Sequence, residues 1–134
     1  MSRITIGEVA RRAGVGVETV RFYERRGLLP SRNAVGRGWH EYSADTVERL
    51  KFIRHARGLG FSTKDIEQLL VLREKQRGTC APFLKLLERR RLDLVVEIQD
   101  LTARLNHVTS LIGECTERSP LPGCSAFAAF TKRS

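Results

Sequence analysis

The chain has 134 residues, with 24 Lys/Arg against 15 Asp/Glu and a formal net charge of +9. That length accommodates one compact domain, or a small domain with an extension. The charge points to a polyanionic partner whose counterions clustered Lys and Arg displace. No apolar run approaches bilayer length and no leader-like segment opens the chain, which sets aside spanning and exported classes and leads us to expect a cytoplasmic protein with no membrane partner.

The charge is uneven. Residues 1–79 hold 16 Lys/Arg and 9 Asp/Glu, whereas residues 80–134 hold 8 and 6. The polyanion-binding part is therefore expected in the N-terminal stretch. The first helix is signalled by Thr5-Ile6-Gly7-Glu8, a hydroxyl at N-cap with a carboxylate three residues on. Ile6, Val9, Ala10 and Ala13 follow at helical spacing, and Gly14 supplies a stop. A turn through Val15-Gly16 leads to a second helix over about Val17 to Arg26. Val17 and Val20 face inward there, while Glu18, Thr19, Arg21 and Arg25 face out. Two short helices joined by a glycine-containing turn describe a helix-turn-helix, whose second helix enters the major groove. Gly27 ends that helix. The stretch Ser31 to Gly38, rich in Gly and Arg, predicts a hairpin or extended loop, with a strand-like piece between Trp39 and Tyr42. Arg32, Arg37 and His40 beside these aromatics suit a wing lying along phosphates.

A third helix is expected over Ser43 to Arg57, burying Val47, Leu50, Ile53 and Ala56. Ser62-Thr63-Lys64-Asp65 is a second capping box, opening a fourth helix with Ile66, Leu69 and Leu70 on one face. Polar residues Arg73 to Gly78 end this part. Pro82 then fits the first turn of a long helix, which runs to about Ile112 and stops at Gly113. Along it, Leu94, Ile98, Leu101, Leu105, Val108 and Ile112 alternate in steps of four and three, the apolar seam of a coiled coil. Glu114 to Gly123 reads as a loop, and Ala126 to Phe130 as a short apolar helix.

Three cysteines flank the long helix: Cys80 before it, Cys115 and Cys124 after it. An odd count in a reducing compartment argues against a disulfide framework. At about 1.5 Å rise per residue, Cys80 and Cys115 of one chain stand roughly 50 Å apart and cannot share an ion. An antiparallel partner would bring Cys80 of one chain to Cys115 and Cys124 of the other, making a three-thiolate site across two subunits. The seam itself is compatible with either strand direction.

The run Thr19-Val20-Arg21-Phe22-Tyr23-Glu24-Arg25-Arg26-Gly27-Leu28-Leu29, preceded by Ile6-Gly7-Glu8-Val9-Ala10 and Ala13-Gly14-Val15, resembles the MerR family of transcription regulators. The likeness extends through Leu50-Phe52-Ile53 and Leu59-Gly60-Phe61 to the long helix. It implies an all-α fold with a small β wing: a winged helix-turn-helix DNA-binding domain (1–78), an antiparallel coiled-coil dimerisation helix (79–113), and a C-terminal metal-binding loop with a short helix (114–134). It also implies a homodimer on double-stranded promoter DNA, acting with RNA polymerase by distorting an overlong spacer when an effector binds. Glu18, Thr19, Arg21 and Tyr23 of the second helix, and Arg37, Trp39 and His40 of the wing, are the DNA-contact candidates. His40 stands where the family's wing usually carries arginine, which weakens its phosphate contact.

The second half is similar to the metal-sensing branch, above all its mercury-responsive members, which place one cysteine before the long helix and two around the loop after it, eight residues apart. Cys80, Cys115 and Cys124 match that placement. Three soft thiolates with no nearby histidine suit Hg(II), Pb(II) or Cd(II), and the resemblance puts Hg(II) first; Zn(II), which usually takes a fourth ligand, is a further alternative. The branch also implies that metal binding activates transcription. The readings from other classes are a thiol-based metal carrier, which would give no sequence-selective footprint, and a redox sensor acting without metal. No acid or histidine stands at catalytic spacing from a cysteine and no phosphate-cradling loop appears, so no enzymatic role is expected.

Overall fold

The computed structural model describes residues 4–29, 33–35 and 39–132, with 33–35, 39–41 and 131–132 described as backbone only. The chain divides into two compact units, Met1–Leu87 and Glu88–Ser134.

The first unit begins with α1 (Ile6–Ala13). The Thr5 hydroxyl accepts the Glu8 N–H at 3.2 Å, satisfying one of the orphan donors of the first turn. The Glu8 carboxylate is held by Arg11 and Arg12. At the other end Gly14 adopts φ 72°, a left-handed cap whose N–H reaches back to Ala10 and Arg11. A side chain there would be strained in backbone and would also press on Arg54, since a Cβ would lie 2.6 Å from Nη1. The turn through Val15 and Gly16 leads into α2 (Val17–Arg25). Two three-residue strands, β1 (Asn33–Val35) and β2 (Trp39–Glu41), pair antiparallel with Ala34 opposite His40. Ile4 and Tyr42 exchange both backbone hydrogen bonds, at 3.0 and 2.9 Å, which anchors the start of the chain beside the end of this ribbon.

Next come α3 (Ala44–Gly58), capped by Ser43, and α4 (Thr63–Lys75), capped by the Ser62 hydroxyl on the Asp65 N–H. Within the polar stretch Arg73 to Gly78, α4 runs through Lys75 and closes on Gln76 at φ 45°. Its last turn is held by tertiary contacts. Arg73 bonds Asp45 at 2.8 Å, and Glu74 pairs with Arg49, so both residues are held from α3. Val9, Val20, Leu50, Ile53 and Ile66, drawn from all four helices, are the fully buried centre of the core. Each contributes about 1.5–3 kcal/mol on leaving water. Leu28, Phe61, Leu69, Leu70 and Leu86 close around them, the last supplied by the opening turns of α5.

α5 (Ala81–Glu114) runs 34 residues. It passes through Gly113, where the sequence reading places the stop; one glycine costs about 1 kcal/mol relative to alanine, too little to end a long helix a residue early. In the second unit a 3-10 turn (Leu121–Gly123) follows, then α6 (Ser125–Lys132). The candidate seam is uncovered in the single chain: Ile98, Leu101, Leu105 and Ile112 are 60–68% exposed. No helix among the described residues is long and apolar enough to cross a membrane.

Candidate metal centre and nucleic-acid interface

The loop after α5 folds Cys124 back toward Cys115, and the two Sγ atoms stand 3.6 Å apart. The loop is closed by local bonds: the Ser119 N–H donates to the Thr116 carbonyl at 3.1 Å, and the two hydroxyls lie 2.6 Å apart. The turn at Leu121–Gly123 then points the chain back. Cys124 occupies the cap position of α6, since its carbonyl accepts the Ala128 N–H at 3.0 Å. Its thiol is lowered from the usual range, chiefly by the Phe127 backbone N–H and then by the Cys115 thiol, with Ala126 adding a further N–H. A helix N-terminus stabilises the thiolate in this way. Cys115 moves the opposite way, raised by its hydrogen bond to Cys124 and by that sulfur's charge. Cys115 therefore gives up its proton less readily than Cys124, and its Sγ lies 3.9 Å from the Thr116 carbonyl. Cys115 is exposed and Cys124 only 6% so.

Cys80 belongs to the first unit, where it precedes α5; it is exposed, and its carbonyl accepts the Leu84 N–H at 2.7 Å. All three cysteines are free thiols. Among the described residues, no three His, Cys, Asp or Glu side chains of one chain gather closely enough to hold an ion. The donor chemistry nevertheless fits a soft cation. Two sulfurs, each about 2.3 Å from one centre, stand 3.3–3.8 Å apart for bond angles of about 90–110°. The observed separation falls inside that range, and a third soft donor would complete a three-coordinate site.

The DNA-contact candidates separate into groups. Glu18 and Arg21 are exposed on α2 and pair with each other at 2.9 Å; Thr19 lies half-buried beside them. Tyr23 is 8% exposed, its ring edge-on to Phe22 at 5.5 Å between centroids, and its hydroxyl accepts Arg57 Nε at 3.3 Å. Arg37 lies outside the described residues, and Trp39 and His40 are described only as backbone in β2.

Sequence reasoning missed that several N-terminal cations serve the fold. Arg49 Nε donates to the Leu28 carbonyl at 2.7 Å, Arg54 Nη1 to the Ala13 carbonyl at 3.4 Å, and Arg57 to Tyr23. The first two meet carbonyls at or just beyond the ends of α1 and α2, where helix termini leave acceptors without intrahelical donors. No local motif announces such reach, because the partners are 21 and 41 residues away. The outer side of α3 also carries a groove of about 460 Å³ lined by Lys51, Arg54, His55, Gly58 and Leu59. The contribution of α6 to Cys124 did have a signal, a cysteine directly before a short apolar helix.

Comparison with known proteins bears on both regions. Residues 4–71 match the family described as MerR HTH family regulatory protein, and residues 47–111 match the one described as MerR, DNA binding. The chain is 30% identical over 131 residues to the mercuric resistance operon regulatory protein of Bacillus cereus, covering 98% of this chain and 99% of that one. Among solved structures it is similar to the transcription regulator PbrR691 from Ralstonia metallidurans CH34 in complex with lead(II), with TM-score 0.85, 28% identity and coverage of 95% and 98%. It is also similar to the dual function transcriptional regulator MerR from Bacillus megaterium MB1 in complex with mercury(II), with TM-score 0.70, 27% identity and coverage of 97% and 100%.

Proposed function

Given that the chain belongs to the MerR family of helix-turn-helix regulatory proteins, we propose that it is a metal-responsive transcription regulator acting as an antiparallel homodimer on promoter DNA with RNA polymerase. Its effector is a soft divalent ion, Hg(II) in the first place, held by Cys80 of one subunit and by Cys115 and Cys124 of the other. The observation that carries this reading is the approach of Cys115 and Cys124 to 3.6 Å on a loop with no disulfide. The relatives named for mercury and the neighbours holding mercury and lead support it. Pb(II) is the second effector to weigh, because a similar regulator structure holds lead(II); Cd(II) and Zn(II) follow.

The reading assigns the first unit to DNA, with α2 presenting Glu18, Thr19, Arg21 and the Tyr23 hydroxyl to the major groove, and the β1–β2 ribbon lying as a wing through Arg37, Trp39 and His40. Residues 1–78, 79–113 and 114–134 are then the DNA-binding, dimerisation and metal-binding segments. The uncovered seam on α5 supports dimerisation, since six such residues leave several kcal/mol of apolar burial unrealised in a single chain. For metal to act on DNA, it must bind the two DNA-bound states with different affinity. Purified dimer on its promoter, titrated separately with Hg(II), Pb(II), Cd(II) and Zn(II) in a transcription assay, tests the proposal. Serine at any one cysteine is expected to abolish induction and leave operator binding intact. Loss of operator binding in all three variants contradicts it.

A further inference from the structure

We infer that Cys115 and Cys124 form, within a single chain, a self-contained receptor for trivalent organoarsenicals of the form R–As(OH)2, independent of Cys80. Its occupation blocks the metal response instead of triggering it; this second clause rests on the function proposed above, the first does not.

Three features of the pair carry the inference. The sulfurs are already 3.6 Å apart, the bite of one bent centre with bonds of about 2.3 Å; a linear two-coordinate centre with the same bonds would need about 4.6 Å. Cys115 is exposed and meets an incoming reagent first, whereas Cys124 is buried beside it. Cys124 is also fixed in place, its carbonyl accepting the Ala128 N–H at 3.0 Å where α6 begins. Once the first As–S bond forms at Cys115, the second becomes intramolecular.

The chemistry balances without a redox step. Each thiol displaces one hydroxide from arsenic, its proton leaving with that hydroxide as water, so R–As(OH)2 and two thiols give R–As(S)2 and two waters. Arsenic stays trivalent. Its three bonds are then taken by the organic group and two sulfurs, so a third thiolate from another subunit has no position to occupy. A cation that needs Cys80 as well is excluded, and the loop is closed without being tied to the partner.

The test uses reduced, full-length protein and phenylarsonous acid, with free-thiol titration and intact mass as readouts. Wild type is expected to lose two of its three thiols and gain one phenylarsenic group per chain, stable to a monothiol and released by a dithiol. The Cys80→Ser variant should bind identically. Cys115→Ser and Cys124→Ser should bind about a hundredfold or more weakly, because the intramolecular second bond is lost. Phenylarsenic-loaded wild type should keep its operator footprint and fail to respond to Hg(II). Undiminished binding by Cys115→Ser or Cys124→Ser, or loss of binding in Cys80→Ser, overturns the receptor. Activation of transcription by the arsenical alone overturns the blocking role. If untreated protein ignores Hg(II), the proposed function fails while thiol count and mass still decide the receptor.

Discussion

Arg21 and Arg49 carry the same charge and have opposite prospects. Arg21 is exposed and, among the described residues, pairs with Glu18 on its own helix, a surface pair worth well under about 1 kcal/mol. A phosphate can displace that carboxylate. Arg21→Ala is therefore expected to lower the slope of log K against log salt by about one while leaving stability unchanged. Arg49 is 15% exposed, donates to the Leu28 carbonyl at 2.7 Å and pairs with Glu74. Arg49→Ala should leave the salt slope alone and destabilise the fold by about 1–3 kcal/mol. Urea unfolding and salt-titrated DNA binding of the two variants check both statements. Glu8 offers a pH test. Its carboxyl is lowered to about 2 by the guanidinium groups of Arg11 and then Arg12. A depressed carboxylate contributes stability above its unfolded value of 4.5, and loses it as pH falls from there toward 2. Carboxyl NMR should show Glu8 titrating near pH 2, and Arg11→Ala should move it upward.

At the scale of elements, α5 is both the clearest feature of the sequence and the least satisfied in one chain. Replacing a mid-seam leucine should expose its role: Leu101→Glu is expected to convert dimer to monomer in sedimentation while the helices of the first unit stay folded. A dimer that survives this change would remove the seam from the interface. Elements whose signals are local were legible from sequence. Thr5 and Ser62 each cap the helix that their position announces, Ser43 caps α3 one residue before it begins, and Gly14 ends α1 where a left-handed residue is needed. What escaped was set by distant partners. Arg73 and Glu74 pair with Asp45 and Arg49, and Arg57 bonds the Tyr23 hydroxyl, all between residues far apart in sequence. Tyr23, expected among the DNA contacts, has its ring buried by the fold. The cysteine spacing was legible, but the 3.6 Å approach was not, because it needs the Leu121–Gly123 turn and the start of α6 together.

At the scale of the whole molecule, the account asks one chain to do two things with separate units. The first unit carries the helix-turn-helix, and part of its positive charge is spent on internal bonding through Arg49, Arg54 and Arg57. The second carries the Cys115–Cys124 dithiol, beside which no third His, Cys, Asp or Glu of the same chain gathers among the described residues. On the proposed function a second copy joins the units, so the central claim is that the effector site is shared between subunits. Complementation tests it most directly. One chain carries Cys80→Ser and the other carries both Cys115→Ser and Cys124→Ser, with different affinity tags, and the heterodimer is purified by both. Each homodimer lacks every complete site, but the heterodimer keeps one, formed by the remaining Cys80 and the intact pair of the other chain. Hg(II) binding at three-thiolate affinity is expected to return in the heterodimer and to be absent from both homodimers. A heterodimer that binds no better than the homodimers would contradict it.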